Sequence, residues 1–348
     1  MITRWQKQNR RKIGLTGLLF AGLLVLLSAC AQNESGEETP AAENRLVVYT
    51  AHKEEIYKPI IREFEERSGI WVDVVAGGTN EMLQQIASEN GQSGADIMFG
   101  GGVDSLQAYE AYFEPYVTAQ DEKLDPAYAS PDHAYTVFSK LPTVFVYNTK
   151  LVLPSGAPRT WQQLLEYQWE GNIAFADPEK SGSAYTALSI LVQRLNREKT
   201  TEEAVAAFTK NLAGDLSDGS NTIVEDVASG KKMIGITLEE TALKKKAAGA
   251  DIEMIYPRQA TCAVPDGGAI IKGAAHRENA EKFMEFIVSD DVQHLLEDQL
   301  YRRSVRTDFS SSEIADEMRY DIAYSNTHRE EILQAWDSYM GQTKRKDE

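Results

Sequence analysis

Short β-rich runs alternate with amphipathic segments along most of this chain, and that alternation constrains the fold more than any other feature. Arg45-Leu-Val-Val-Tyr-Thr50, Ile70-Trp-Val-Asp-Val-Val75 and Ala95-Asp-Ile-Met-Phe99 read as strands. Between them, Ile56, Ile60, Ile61 and Phe64 recur at helical spacing up to a stop at Gly69, and Met82, Leu83 and Ile86 do so after the turn Gly77-Gly-Thr-Asn80. Pro59 has to lie near the start of the first helix or kink it. A second block begins near Thr143-Val-Phe-Val-Tyr147 and continues with a helix opened by the capping box Thr160/Gln163. Strands follow at Asn172–Ala176, Met233–Thr237, Ile252–Tyr256 and Val264–Ile271, with helices after Ser181-Gly-Ser183 and around Phe283, Met284, Phe286 and Ile287. Such spacing predicts βαβ units and a mainly parallel sheet, arranged as two α/β blocks. No short internal repeat is present, which argues against solenoids and propellers.

The first thirty residues are an address and not part of the fold. Arg4, Lys7, Arg10, Arg11 and Lys12 precede an apolar stretch from Ile13 to Leu27 that is short for a bilayer span. It ends in Leu27-Ser28-Ala29-Cys30, the pattern of a bacterial lipoprotein signal, in which Cys30 becomes the acylated N-terminus. Cleavage removes five basic residues and no acid, which takes the formal charge from -17 to -22. Ala31 to Asn44 is polar, acidic and free of aromatics, a tether composition. Such acidity excludes a duplex nucleic-acid binder, which needs a basic face. Two cysteines exclude a disulfide scaffold, and once Cys30 is acylated the lone Cys262, in an apolar context, reads as a buried core residue.

In an open α/β sheet, ligands collect outside the carboxyl ends of strands, where loops run into helix N-termini. Three such loops are rich in small or hydroxyl residues: Thr50-Ala-His52, Gly100-Gly-Gly102 and Ser181-Gly-Ser-Ala-Tyr185. The last joins free backbone N–H groups, two hydroxyls and a helix dipole, and so suits an oxyanion, although a plain Ser N-cap, common on any helix, is the simpler account of the spacing alone. Arg302, Arg303 and Arg306 form a cationic trio that fits bidentate anion recognition, or else ion pairs with Asp298 and Asp308. Glu240 reads as a dipole complement in a first helical turn, while Glu239 stays open as a partner for a ligand amine or metal. The five histidines make no HExxH, and GxSxG, Walker and GxGxxG motifs are missing, so the sequence predicts no enzyme, no catalytic residues, no metal site and no cofactor.

Several stretches, in order along the mature chain, resemble the solute-binding proteins of ABC importers. They include Leu46–Ala51, Phe145-Val-Tyr-Asn-Thr-Lys150, Gly171-Asn-Ile-Ala-Phe-Ala-Asp-Pro178 with Ser181–Thr186, Asp266-Gly-Gly-Ala-Ile-Ile-Lys-Gly273 and Arg302-Arg-Ser-Val-Arg306. The likeness is to the ferric-ion, phosphonate and sugar-phosphate cluster. It implies an α/β type II periplasmic-binding fold, with lobe one at 45–140 plus 262–305, lobe two at 141–261, and a helical tail 306–348 attached to either. Hinge closure on ligand in the cleft is implied as well. Thr50, His52, Gly101 and Gly102 are then expected to line lobe one and Ser181, Gly182, Ser183 and Thr237 lobe two, with Arg303 as anion partner. Ferric-binding members use adjacent tyrosines late in the chain, and no Tyr-Tyr pair occurs here. The expected function is therefore a monomeric, lipid-anchored, extracytoplasmic protein that delivers a small organophosphate or phosphonate to a permease and ATPase. Ferric iron as cargo, or a sensor feeding a membrane histidine kinase, are the alternatives.

Overall fold

A computed structural model describes residues 44–92, 94–258, 261–309 and 318–344 of the 348-residue chain. The leader, Cys30 and most of the tether lie outside the described residues. Past them the chain forms one unit. It opens with β1 (Arg45–Thr50), α1 (Glu54–Ser68), β2 (Trp71–Ala76), α2 (Thr79–Glu89), β3 (Ile97–Gly102), α3 (Val103–Ala108) and the short β4 (Phe113–Glu114). The apolar positions read from the sequence are the ones buried: Ile56, Ile60, Ile61 and Phe64 on α1, and Met82, Leu83 and Ile86 on α2. Pro59 lies inside α1, which still ends on Gly69 in the left-handed conformation, as its stop position requires.

A long strand, β5 (Thr136–Asn148), leaves this region, and β6 (Ile173–Ala174), α4 (Gly182–Leu195), α5 (Thr201–Leu212), α6 (Ile223–Ala228), β7 (Ile234–Leu238), α7 (Glu239–Ala247) and β8 (Ile252–Ile255) follow. The chain then returns through β9 (Ala263–Ile271), α8 (Arg277–Ile287), α9 (Asp290–Asp298) and β10 (Arg303–Ser304), and ends in α10 (Ile322–Thr327) and α11 (Arg329–Lys344).

The sheet is mixed, which corrects the mainly parallel expectation. β1 pairs parallel with β2 and β3, and β6 with β7. Every pairing made by β5 and β9 is antiparallel. The sheet order is β2-β1-β3-β9-β5-β7-β6, with β4 on β9 and both β8 and β10 on β5. The first half of β5 pairs with β9 and β10; its second half lies between β7 and β8. One 13-residue strand thus carries the sheet from one core to the other.

Two hydrophobic cores result. The first takes Leu46 to Phe138 and Ala269 to Val305; the second takes Val144 to Val264 together with Tyr320, Ile332, Ala335, Trp336 and Met340. Trp336 packs on Phe175 with ring centroids 5.8 Å apart, so the tail closes the second core. Cys262 is fully buried there.

One helix expected from the sequence is absent. Thr160 Oγ1 does accept from the Gln163 N–H at 3.3 Å, but only the 3-10 turn Gln162–Leu165 forms. The carbonyls of Leu164 and Glu166 accept instead from Asn211 Nδ2, at 2.8 and 2.9 Å, which ends the turn.

A buried ionic network sits where the cores join. Arg302, 7% exposed, donates from Nε to Glu240 Oε2 at 2.8 Å and from Nη1 to Asp266 Oδ2 at 2.5 Å. Ser139 of β5 donates to the other Asp266 oxygen at 2.5 Å. Burial pushes the Glu240 carboxyl up, but Arg302 and Lys244 outweigh it and hold it below the usual range. Removing one member of a buried pair strands the others without solvent. Arg302→Met is accordingly expected to cost about 3–5 kcal/mol in urea unfolding; a loss under about 1 kcal/mol would show the network to be dispensable.

Candidate functional site

The carboxyl ends of β1 and β3 lead into turns that need small residues. Gly100 and Gly101 have φ of 100° and 96°, and a Cβ on them would lie 2.9 Å from His52 Cδ2 and 2.8 Å from Thr79 Cγ2 respectively. Opposite them, α4 starts at Gly182 with Ser181 as N-cap, its Oγ accepting from the Ala184 N–H at 3.3 Å and lying 3.2 Å from Ser183 Oγ. Between these elements lies a cleft of about 870 Å³.

Of the expected residues, His52, Gly101, Gly102, Ser181, Gly182 and Ser183 line the cleft. Three other expected residues do not. Thr50 is fully buried, donates from Oγ1 to the Phe99 carbonyl at 2.8 Å and accepts from the His52 N–H at 3.1 Å, so it positions His52 from behind. Thr237 borders a separate void of about 10 Å³ behind the start of α4, room for one water at most. Arg303 is turned away: its Nε and Nη2 grip both oxygens of Glu239 at 2.8 Å, and Tyr256 donates to the same carboxylate. Burial and that carboxylate push the Tyr256 hydroxyl up to about 12. The expectation that Arg303 serves as anion partner is therefore corrected; its fork is filled by a side chain of the protein. Glu239, left open above, is consumed by the same pair.

Other residues line the cleft besides those expected to bind ligand. Arg302, the neighbour of Arg303, reaches the cleft wall with Asp266. Leu216-Ser-Asp-Gly-Ser-Asn221 lines it ahead of α6, and its turn composition was a usable signal. Asp104 at the start of α3, Tyr185 on α4 and Arg329 at the start of α11 come from three separate elements, so no local pattern joins them.

Burial, with the Arg302 charge added, holds His52 well below the usual imidazole range. The ring is neutral, edge-on to Phe99 at 4.6 Å, and its Nε2 has no hydrogen-bond partner among the described residues. Burial pushes the Asp104 carboxyl up, countered in part by the Ser105 N–H and Arg329. Burial likewise raises the Tyr185 and Tyr320 hydroxyls, which keeps both as phenols at neutral pH. Among the described residues no group of three His, Cys, Asp or Glu stands close enough to hold a metal ion.

Comparison with known proteins decides what kind of cleft this is. The family model described as bacterial extracellular solute-binding protein matches residues 92–328. This chain belongs to that family. A relative named iron uptake protein A1, from Synechocystis sp., is 26% identical over 86% of this chain and 88% of its own length. A putative 2-aminoethylphosphonate-binding periplasmic protein of Salmonella typhimurium is 23% identical over 72% of this chain and 74% of its own. Among solved structures, the periplasmic binding protein AfuA of Actinobacillus pleuropneumoniae, with exogenous fructose-6-phosphate bound, superposes with a TM-score of 0.73. It covers 85% of this chain and 98% of that one at 21% identity. The fold of this solute-binding protein is thus the type II periplasmic-binding fold. No helix among the described residues is long and apolar enough to cross a membrane.

His52 supplies a pH test. A histidine held below its unfolded value of 6.5 gives stability that is full above that value and lost as pH falls toward the folded one. Between pH 7 and 5 the stability of the wild type is expected to fall more steeply than that of His52→Gln, by at most about 1.4 kcal/mol per pH unit. Parallel curves in denaturant titrations would show that His52 takes up its proton as readily in the folded state as in the unfolded one.

Proposed function

We propose that this protein captures a small phosphorylated or phosphonate solute and hands it to an ABC permease. The observation that carries this reading is the N-terminus of α4, where Ser181, Gly182 and Ser183 face a cleft of about 870 Å³. Free N–H groups, two hydroxyls and the positive end of a 14-residue helix suit an oxyanion. In this reading the two cores act as lobes that close over the solute about β5 and β9. The carboxylates Glu81, Asp104, Asp177, Glu179 and Asp218, also on the cleft wall, favour a solute that carries an ammonium group besides its anion.

Ferric iron as cargo is the second reading, favoured by the likeness to iron uptake protein A1. Against it, the cleft tyrosine Tyr185 is held in the phenol form and donates to the Ser325 carbonyl at 2.7 Å. A thermal-shift panel separates the two. A phosphonate or phosphate ester at 100 times its Kd is expected to stabilise the protein by about 2.7 kcal/mol. A shift and a visible absorption band with ferric citrate, and none with any phosphoryl compound, would reverse the assignment. Ser181→Ala is expected to weaken ligand binding and, through loss of the cap, to cost about 1 kcal/mol of stability.

Cys30 would carry the lipid that holds the protein at the outer face of a bacterial membrane. Labelling with a fatty acid analogue is expected for the wild type and not for Cys30→Ala, which would be released in soluble form; equal labelling of both would sink the anchor.

A further inference from the structure

An anion at the start of α4 gains further from a cation with a free edge, and three basic residues line the wall: Lys180, Arg302 and Arg329. Arg302 is committed to Glu240 and Asp266. The Lys180 side chain is 84% exposed and stands 3.5 Å from Asp177, so water screens it. Arg303 and Arg306 are taken by Glu239 and by Asp290 and Asp308.

Arg329 differs from all of these. Its guanidinium carbon lies 4.0 Å from the centroid of the Tyr185 ring. Among the described residues no carboxylate comes within ion-pair distance of it and its N–H groups meet no acceptor, although its charge reaches Asp104 and partly offsets the effect of burial there. A guanidinium stacked by its face keeps its N–H groups in the plane of the fork, at right angles to the contact, where a phosphoryl group can accept two of them. The platform is fixed. Tyr185 is buried, and its hydroxyl donates to the Ser325 carbonyl at 2.7 Å, which ties α4 to α10 just ahead of Arg329. Tyr185 follows Gly182 by three residues, less than one helical turn, and both line the same cleft as Arg329. Across the gap, Asn326 Nδ2 donates to the Asp104 carbonyl at 3.1 Å, which docks the tail against the first core.

We propose that Arg329 is the guanidinium that grips the anionic group of the solute, so that the C-terminal tail forms part of the binding site. The proposal rests on the anionic-solute reading above and adds the residue that sets its charge selectivity. A bidentate, charge-assisted pair fits a phosphonate or phosphate monoester better than a neutral solute. Arg329 and the start of α4 then share the anion's oxygens, and the carboxylates Glu81, Asp177, Glu179 and Asp218 on the cleft wall are left to a cationic group of the same solute.

The experiment is calorimetric titration of the full mature protein with 2-aminoethylphosphonate, fructose-6-phosphate and inorganic phosphate, on wild type, Arg329→Gln and Arg329→Lys. Melting of each variant without ligand serves as the folding control. The expected result is binding of at least one probe by the wild type and about a 10- to 100-fold weaker Kd for Arg329→Gln. Partial recovery in Arg329→Lys, which keeps the charge and loses the fork, is expected as well. Equal affinity of Arg329→Gln and wild type would overturn the assignment and leave the anionic-solute reading standing. So would equal weakening of both variants accompanied by a lowered melting temperature, which marks a packing role. If the wild type binds none of the three probes, the reading and the assignment fall together.

Discussion

Arg302 is the residue on which the joining of the two cores depends. Its guanidinium reaches Asp266 on β9 and Glu240 on α7, while Ser139 on β5 completes the cluster. Without it, two carboxylates would face each other in a region from which water is excluded, at a cost of several kcal/mol per charge. Apolar residues of matching volume would pack as well or better, so the charges do not exist for stability alone. What they add is geometric. An Arg fork has one good arrangement against two carboxylates, and that arrangement fixes where β9 passes β5 and where α7 begins. Since β5 is paired in its first half to one side of the molecule and in its second half to the other, the network sits where the chain passes from one core to the other.

Much of the fold was legible in the sequence because its signals are local. Apolar spacing, glycine stops and β-branched runs place α1, α2, β1, β3 and β9 within a few residues of where they lie. The misses are places where distant groups decide. The first half of β5, Thr136 to Pro142, carries Ser139 and Lys140, whose polar side chains hide a strand that is buried throughout except at Leu141. The helix expected after Thr160 is stopped by Asn211, some fifty residues away. Arg302 and Arg303 differ by one position in an extended stretch, so they point to opposite sides, and no periodicity says which of them meets the cleft. Arg329 had no signal at all; its meaning depends on the tail coming back.

The overall charge of -17 is a poor guide to what the cleft prefers. Exposed carboxylates on the outer surface are screened beyond about 8 Å at physiological ionic strength. Inside, part of the charge is compensated, while Glu81, Asp177, Glu179 and Asp218 still line the cleft wall. Asp266 is held by Arg302, and burial raises the Asp104 carboxyl. His52 adds no charge, because burial keeps its ring neutral. What a solute meets at close range is the start of α4 and two hydroxyls, with fixed dipoles that need no reorganisation to receive an anion.

The tail connects this electrostatic arrangement to motion. Arg319 donates to the Ala127 carbonyl at 2.9 Å and Asn326 to that of Asp104, both on the side of the first core. Ile322 packs against both cores, and Trp336 is buried in the second. One segment therefore completes a core, spans the cleft and presents Arg329 to it. Rotation of one core relative to the other has to stretch or remake the hydrogen bonds at Ala127 and Asp104, each worth only about 1 kcal/mol net. If Arg329 grips the solute as proposed, a solute that draws it toward the start of α4 biases that equilibrium. The device that recognises charge and the device that resists opening are then the same stretch of chain. A substitution in the tail is consequently felt in affinity even where it never touches the solute.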